Sequence, residues 1–149
     1  MSIAMEQRVS LITLAVDDLA RAAAFYEALG WRRVQSPDGV IAFDLLGSVL
    51  GLYPRTALAE EMGQDIGAGS AIVLSYNVRS KAEVAPMLSL AEAAGGRIIN
   101  PAKDVFWGGH HGHFSDLDGH IWEVAHNPFS QLGPNGEFQW NGVPAESET

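Results

Sequence analysis

All five histidines of the chain fall between His110 and His126, and three of them stand in one run, Phe106-Trp107-Gly108-Gly109-His110-His111-Gly112-His113-Phe114. On a β-strand, residues two apart point to one side. His111 and His113 could therefore share a metal ion, with Trp107 pointing the same way. On the opposite parity His110 and Phe114 point together. Glu123, on the strand expected beside this one, is the natural third ligand, in a site drawn from one half of the chain. The plainer alternative is that both histidines are solvated or hydrogen-bonded at a sheet edge. Gly108, Gly109 and Gly112 also permit a bulge or a close backbone approach, which would break the parity.

The composition around these residues is acidic. The 149 residues carry 9 Lys and Arg against 18 Asp and Glu, a net charge of −9. Every Lys and Arg lies at or before Lys103, and from Asp104 onward there are seven acids and no Lys or Arg. Such surroundings favour a protonated imidazole or a bound cation. The same balance argues against nucleic acid as a partner and against an anionic membrane surface. With no cysteine, disulfides, thiolate zinc sites and cysteine nucleophiles are excluded. No serine-nucleophile motif is present. No apolar run approaches the ~20 residues of a membrane span, and Met1–Arg8 lacks the pattern of a signal peptide. A soluble, cytoplasmic protein is expected.

The elements that must position these residues follow a repeated order. Residues 8–16 read as a strand, and Asp17-Asp18 as the cap of a helix over 19–29 that Gly30 stops. Strands are expected over 31–35, 40–46 and 48–53, then a short helix over 55–62 ended by Gly63, and a glycine-rich linker over 63–70. The pattern then restarts. A strand over 71–78 leads to the capping box Ser80-Lys81-Ala82-Glu83. The helix after it reaches about Ala94, with Pro86 forcing a kink or a late start. A short strand over 97–100 ends before Pro101, and strands over 106–114 and 120–125 flank the turn Asp116-Leu117-Asp118-Gly119. A strand, a helix and three strands are thus used twice. The expected fold is α+β, two βαβββ repeats forming a curved mixed sheet around a central cup, with helices outside. Residues 1–128 make one domain, with repeats over about 8–63 and 70–128. Residues 129–149 form a C-terminal extension, in which Phe138 and Trp140 pack back and the end is loose.

The repeat resembles the vicinal oxygen chelate superfamily, which includes glyoxalase I, bleomycin-resistance proteins and extradiol dioxygenases. Three stretches carry the likeness: Val16-Asp17-Asp18-Leu19, Phe25-Tyr26-Glu27-Ala28-Leu29-Gly30-Trp31, and Phe114-Ser115-Asp116-Leu117-Asp118-Gly119-His120-Ile121-Trp122-Glu123-Val124. It covers roughly residues 8–128. Metal-dependent members hold a divalent ion in the cup with one side chain from each of four strands. The resemblance puts those positions on Leu11, Gly51, Ala71 and Glu123. Only Glu123 carries a donor, so the usual metal site looks dismantled and no cofactor is expected. A divalent ion would enter only through His111, His113 and Glu123.

With these four positions inward, alternation also turns Thr13, Tyr53 and Ser75 into the cup. The cup is then small and apolar, with Thr13, Tyr53, Ser75 and Glu123 as its polar points, which suits a small organic ligand. Trp107 is a candidate for stacking at the rim, and Arg55 for an anion. Two functions follow. One is a binding module for a small, partly aromatic molecule, as in resistance proteins of the superfamily. The other is a lyase, isomerase or dioxygenase, using Glu123 with His111 and His113 on a metal, or Glu123 alone as general base. Glu123 is alternatively a vestige paired to a backbone donor or to Tyr53. A homodimer is expected in either case.

Overall fold

Asp18 caps the first helix by accepting from the Arg21 amide at 3.0 Å, so the chain turns directly from strand β1 (Leu11–Val16) into α1 (Leu19–Ala28). The computed structural model describes residues 3–67 and 71–144. Strands β2 (Ile41–Asp44) and β3 (Val49–Pro54) and helix α2 (Arg55–Met62) complete the first repeat. Gly63 ends α2 at φ 71°, in the left-handed region that glycine enters without strain. The second repeat runs β4 (Val73–Asn77), a 3-10 turn (Lys81–Glu83), α3 (Val84–Ala93), β5 (Arg97–Asp104), β6 (His110–Ser115) and β7 (Ile121–His126). The capping box at Ser80 and Glu83 is formed. Pro86 produces the late start, because α3 begins at Val84 and places Pro86 in its first turn, where its missing N–H costs nothing.

The first strand starts at Leu11 rather than residue 8, the strand expected over 40–46 ends at Asp44, and four further expected strands change. Over 31–35 only a single bridge forms, Val34 to Ala42. The start of that stretch serves the end of α1 instead: the Trp31 amide donates to the Tyr26 carbonyl, and Arg33 turns back to Glu27 at 2.6 Å. The strand expected to stop before Pro101 continues to Asp104. It is the edge strand of its sheet, where a proline costs no ladder bond, and its register to β6 shifts on both sides of Asn100. The strand expected from Phe106 starts only at His110, because residues 106–108 form a turn with Gly108 at φ 95°. The strand expected from Ala71 starts at Val73. Of the expected linker, residues 68–70 lie outside the described residues, as does the end of the C-terminal extension beyond Pro144.

Each repeat builds its own sheet, in the order β1-β3-β2 and β4-β7-β6-β5. The registers match between the halves. Thr13 pairs with Gly51, Gly51 with Ala42, and Ala42 bridges to Val34. In the second sheet Ser75 pairs with Glu123, Glu123 with His113, and His113 with Asn100. These two rungs occupy equivalent places in the two repeats.

The opposite faces of the sheets form the core, as the alternation predicts. Leu14 and Val16, Leu50 and Leu52, and Trp122 and Val124 join residues of α1 and α3 in one cluster. The two halves are locked through a buried polar knot. The Tyr26 hydroxyl donates to Asp116 at 2.6 Å and accepts from the Trp122 indole at 3.1 Å. The other Asp116 oxygen accepts from the amides of Asp118 and His120, each at 2.9 Å. Burial, reinforced by the Asp116 carboxylate, pushes the Tyr26 hydroxyl far above its ordinary 10.0. A value raised in the folded state gives stability that is intact below the unfolded value and is lost as pH rises above it. Stability should therefore fall by up to about 1.4 kcal/mol per pH unit above pH ~10 on account of this group. Urea unfolding across that range checks it: Tyr26→Phe should flatten the alkaline limb, and an unchanged limb would contradict the assignment.

Candidate functional site

The polar rung of the second sheet gathers several of the candidate site residues. Ser75, Glu123, His113 and Asn100 come from four adjacent strands and lie side by side. His111, two residues before His113 on β6, shares its face. The Ser75 hydroxyl donates to Glu123 Oε1 at 3.0 Å, and His111 Nδ1 meets Glu123 Oε2 at 2.8 Å. His113 Nε2 lies 3.8 Å from the same Oε2, and its Nδ1 meets the Asn100 side-chain amide nitrogen at 3.2 Å. The His111 and His113 rings stand nearly edge to face with centroids 4.9 Å apart. Burial, then the neighbouring His111, holds the His113 imidazole below its ordinary value, which favours the neutral ring. One donor atom from each of His111, His113 and Glu123 lies within 4.8 Å of the others.

Asn100 belongs to this rung because of a bulge. Ile98 pairs with Phe114 on the core side, and the next pairing is Asn100 with His113. Two steps on β5 against one on β6 reverse the parity of β5. Asn100 therefore joins His113 on the site face instead of following Ile98 into the core. Regular alternation cannot find such a residue. The local signal is the Asn100-Pro101 pair inside a stretch of strand.

Glu123 and Ser75 line an open cleft of about 1160 Å³ that runs along edge strand β4. Its lining is aromatic: Trp31, Tyr76, Trp107 and Trp122, with Phe129, Phe138 and Trp140 from the C-terminal extension. Asp44, Glu83 and Glu123 face it with Arg79 as the single cation among its lining residues. Trp107 sits in the turn before β6, not on the strand. Its indole covers Gly109, where a Cβ would strike the ring, and meets His111 edge-on at 6.3 Å. The extension is anchored by Ser130, whose hydroxyl donates to the Trp140 carbonyl at 2.5 Å, and by Arg79, which donates to the Pro134 carbonyl at 3.1 Å.

The structure brings Ser75, Trp107, His111, His113 and Glu123 together. Thr13 and Tyr53 are placed elsewhere. Both lie in the first sheet and neither lines the Glu123 cleft. Tyr53 stands beside Glu61 of α2, whose hydrogen bond and charge raise its hydroxyl above the ordinary range. Arg55 is committed to Asp17 at 2.8 Å and to the Gly67 carbonyl at 2.7 Å. Ala71 precedes β4. Because Ser75 answers to Thr13 in the matched registers, the position equivalent to Leu11 is Val73.

This fold and its duplicated rung place the chain in a family. It belongs to the Glyoxalase/Bleomycin resistance protein/Dioxygenase superfamily, whose profile matches residues 8–124. It is similar to a glyoxalase-related enzyme from Fulvimarina pelagi, with 36% identity over 92% of this chain and 100% of that one, at a TM-score of 0.87. A glyoxalase/bleomycin resistance protein/dioxygenase family enzyme from Burkholderia phytofirmans PsJN is 20% identical over 80% of this chain and 98% of its own, with a TM-score of 0.72. Lactoylglutathione lyase from Agrobacterium tumefaciens is 21% identical over 83% of this chain and 96% of its own, with a TM-score of 0.65. At those last two identities the likeness is one of fold. No curated protein matches.

The four positions from which such folds hold a divalent ion do not fit one here. Leu11, Gly51 and Val73 have no donor atom, and Glu123 alone would supply one ligand of the three or more that such an ion needs.

Proposed function

We propose that this protein binds a small aromatic molecule in the cleft beside Glu123, without the four-strand metal site of its superfamily. The observation that carries this reading is the cleft itself, whose lining combines seven aromatic side chains with a carboxylate whose two oxygens are both already oriented by hydrogen bonds. Aromatic walls supply stacking area, and Glu123 offers a fixed acceptor for a ligand N–H or O–H. Tryptophan fluorescence titrated with a neutral probe, 2-naphthol, and a cationic one, proflavine, tests it. Saturable binding is expected for at least one probe, weakened about fivefold or more by Trp107→Ala, the loss of a stacking partner worth about 1 kcal/mol or more. Absence of saturation with both probes, or binding indifferent to Trp107→Ala, would refute it.

A second reading, a lyase, isomerase or dioxygenase, is favoured by the His111–Glu123 pair. A carboxylate hydrogen-bonded to an imidazole can accept a proton from a bound substrate while the ring holds it in place. Glu123→Gln keeps the shape and removes the base. Turnover lost with binding retained would select this reading. The protein is further proposed to act in the cytoplasm as a homodimer. Among the described residues no helix is long and apolar enough to cross a membrane. Edge strands β1 and β4 each leave an apolar side chain open on the site face, Leu11 at 54% and Val73 at 52% exposure, which supports pairing of two copies there.

A further inference from the structure

From the polar rung we infer that the second repeat carries a divalent transition-metal site of its own, formed by His111, His113 and Glu123 with Asn100 as its positioning residue. It shares Glu123 with the four-strand position but takes its other two donors from β6, and its metal binding is read with no ligand in the cleft.

The argument begins with distance. An ion bound by nitrogen and oxygen at about 2.0–2.1 Å in a tetrahedral shell needs donors roughly 3.3 Å apart. The observed separations are 2.8 Å from His111 to Glu123 and 3.8 Å from His113 to Glu123, with all three donors within 4.8 Å. The two distances to Glu123 bracket the required one, and the two imidazoles must close on each other by at most about 1.5 Å, a shift of the kind side-chain rotation supplies. All three residues stand on neighbouring paired strands, β6 and β7. Imidazole with carboxylate, and no thiolate, selects Zn²⁺, Fe²⁺, Co²⁺ or Ni²⁺ over Mg²⁺ and Ca²⁺, which prefer oxygen alone.

Asn100 gives the second line of support. A histidine that binds metal through Nε2 donates its Nδ1–H to an acceptor behind it. Asn100 faces His113 Nδ1 with its amide, and an amide can present either NH₂ or C=O after a half-turn. With NH₂ forward it supports the ring that carries its proton on Nε2, and with C=O forward it supports the ring whose Nε2 is free for metal. The bulge in β5 puts this residue, and no other on that strand, opposite His113. Ser75 does the equivalent for Glu123, engaging Oε1 and leaving Oε2 toward the two rings.

The test uses the full chain without a histidine tag, stripped of metal. Titration with Co²⁺, followed by visible absorption, and with Zn²⁺, followed by calorimetry, should show one ion per chain, undisturbed by excess Mg²⁺. His113→Ala and Glu123→Gln should each abolish stoichiometric binding. Asn100→Ala should weaken it about tenfold or more, as loss of an outer partner does, and Asn100→Asp, which offers only acceptors to Nδ1–H, should restore it. His110→Ala should bind as the parent does. Thermal melts on every variant exclude misfolding, and the near-isosteric Glu123→Gln guards against it. No stoichiometric Co²⁺ or Zn²⁺ binding by the parent, or binding that survives loss of both His111 and His113, overturns the site. Equal binding by Asn100→Ala and Asn100→Asp overturns the role of Asn100.

Discussion

Asp116→Ala is expected to destabilise the fold by about 3 kcal/mol, because it strands several buried donors at once. Asp116 is 6% exposed, and its carboxylate accepts from the Tyr26 hydroxyl and from the amides of Asp118 and His120. Those donors lie on α1 and on the turn between β6 and β7, so one side chain ties the first repeat to the second. The Trp122 indole is a further member of the knot, since it depends on the Tyr26 oxygen held there. For a chain of this length such a loss corresponds to a fall of about 10 °C in Tm. Asp116→Asn should lose less, because the amide retains one acceptor for the turn amides. Urea unfolding of the two variants checks the ordering. A loss below about 1 kcal/mol in Asp116→Ala would mean that water replaces the carboxylate without penalty.

The second large effect concerns Gly112, between the two histidines of the site. A Cβ at this position would lie 2.8 Å from the Asn100 carbonyl oxygen and 3.2 Å from the Ala102 nitrogen, and would also strike Leu88. The first two are backbone atoms of β5, which cannot turn aside as a side chain can. Gly112→Ala should therefore cost about 2–3 kcal/mol through overpacking. The strain falls at the bulge, so the variant should also separate Asn100 from His113. Crystallography or the imidazole NMR signals of His113 would show it. A variant as stable as the parent, with an unchanged His113 environment, would mean that β5 moves freely at its edge.

Much of the architecture was readable in the residues. The duplicated order of strand, helix and strands came from turn signals and periodicity, and the alternation placed Leu14, Leu50, Trp122 and Val124 on the core face. His111, His113 and Glu123 were legible as a group because spacing along one strand and adjacency of the next are local properties. Asn100 was not, because a bulge reverses parity and Pro101 looked like a terminator. Trp107 was recognised as a residue, but its place in a turn depends on Gly108. Thr13 and Tyr53 were expected beside Glu123. Alternation tells which face a residue takes, and nothing in it tells which sheet faces which.

The two matched rungs have a consequence for how such a protein can change. In the first repeat the places of Ser75, Glu123, His113 and Asn100 are held by Thr13, Gly51, Ala42 and Val34. The duplication has left one copy with donors and the other with small or apolar side chains, on the same backbone plan. Gly51 has ordinary backbone angles, and a Cβ there would press only on a Leu11 methyl at 3.3 Å. The silent copy can therefore accept new side chains at little structural cost, while the populated copy keeps its chemistry. Inherited symmetry makes the first rung a spare scaffold, open to drift in evolution and to grafting by design.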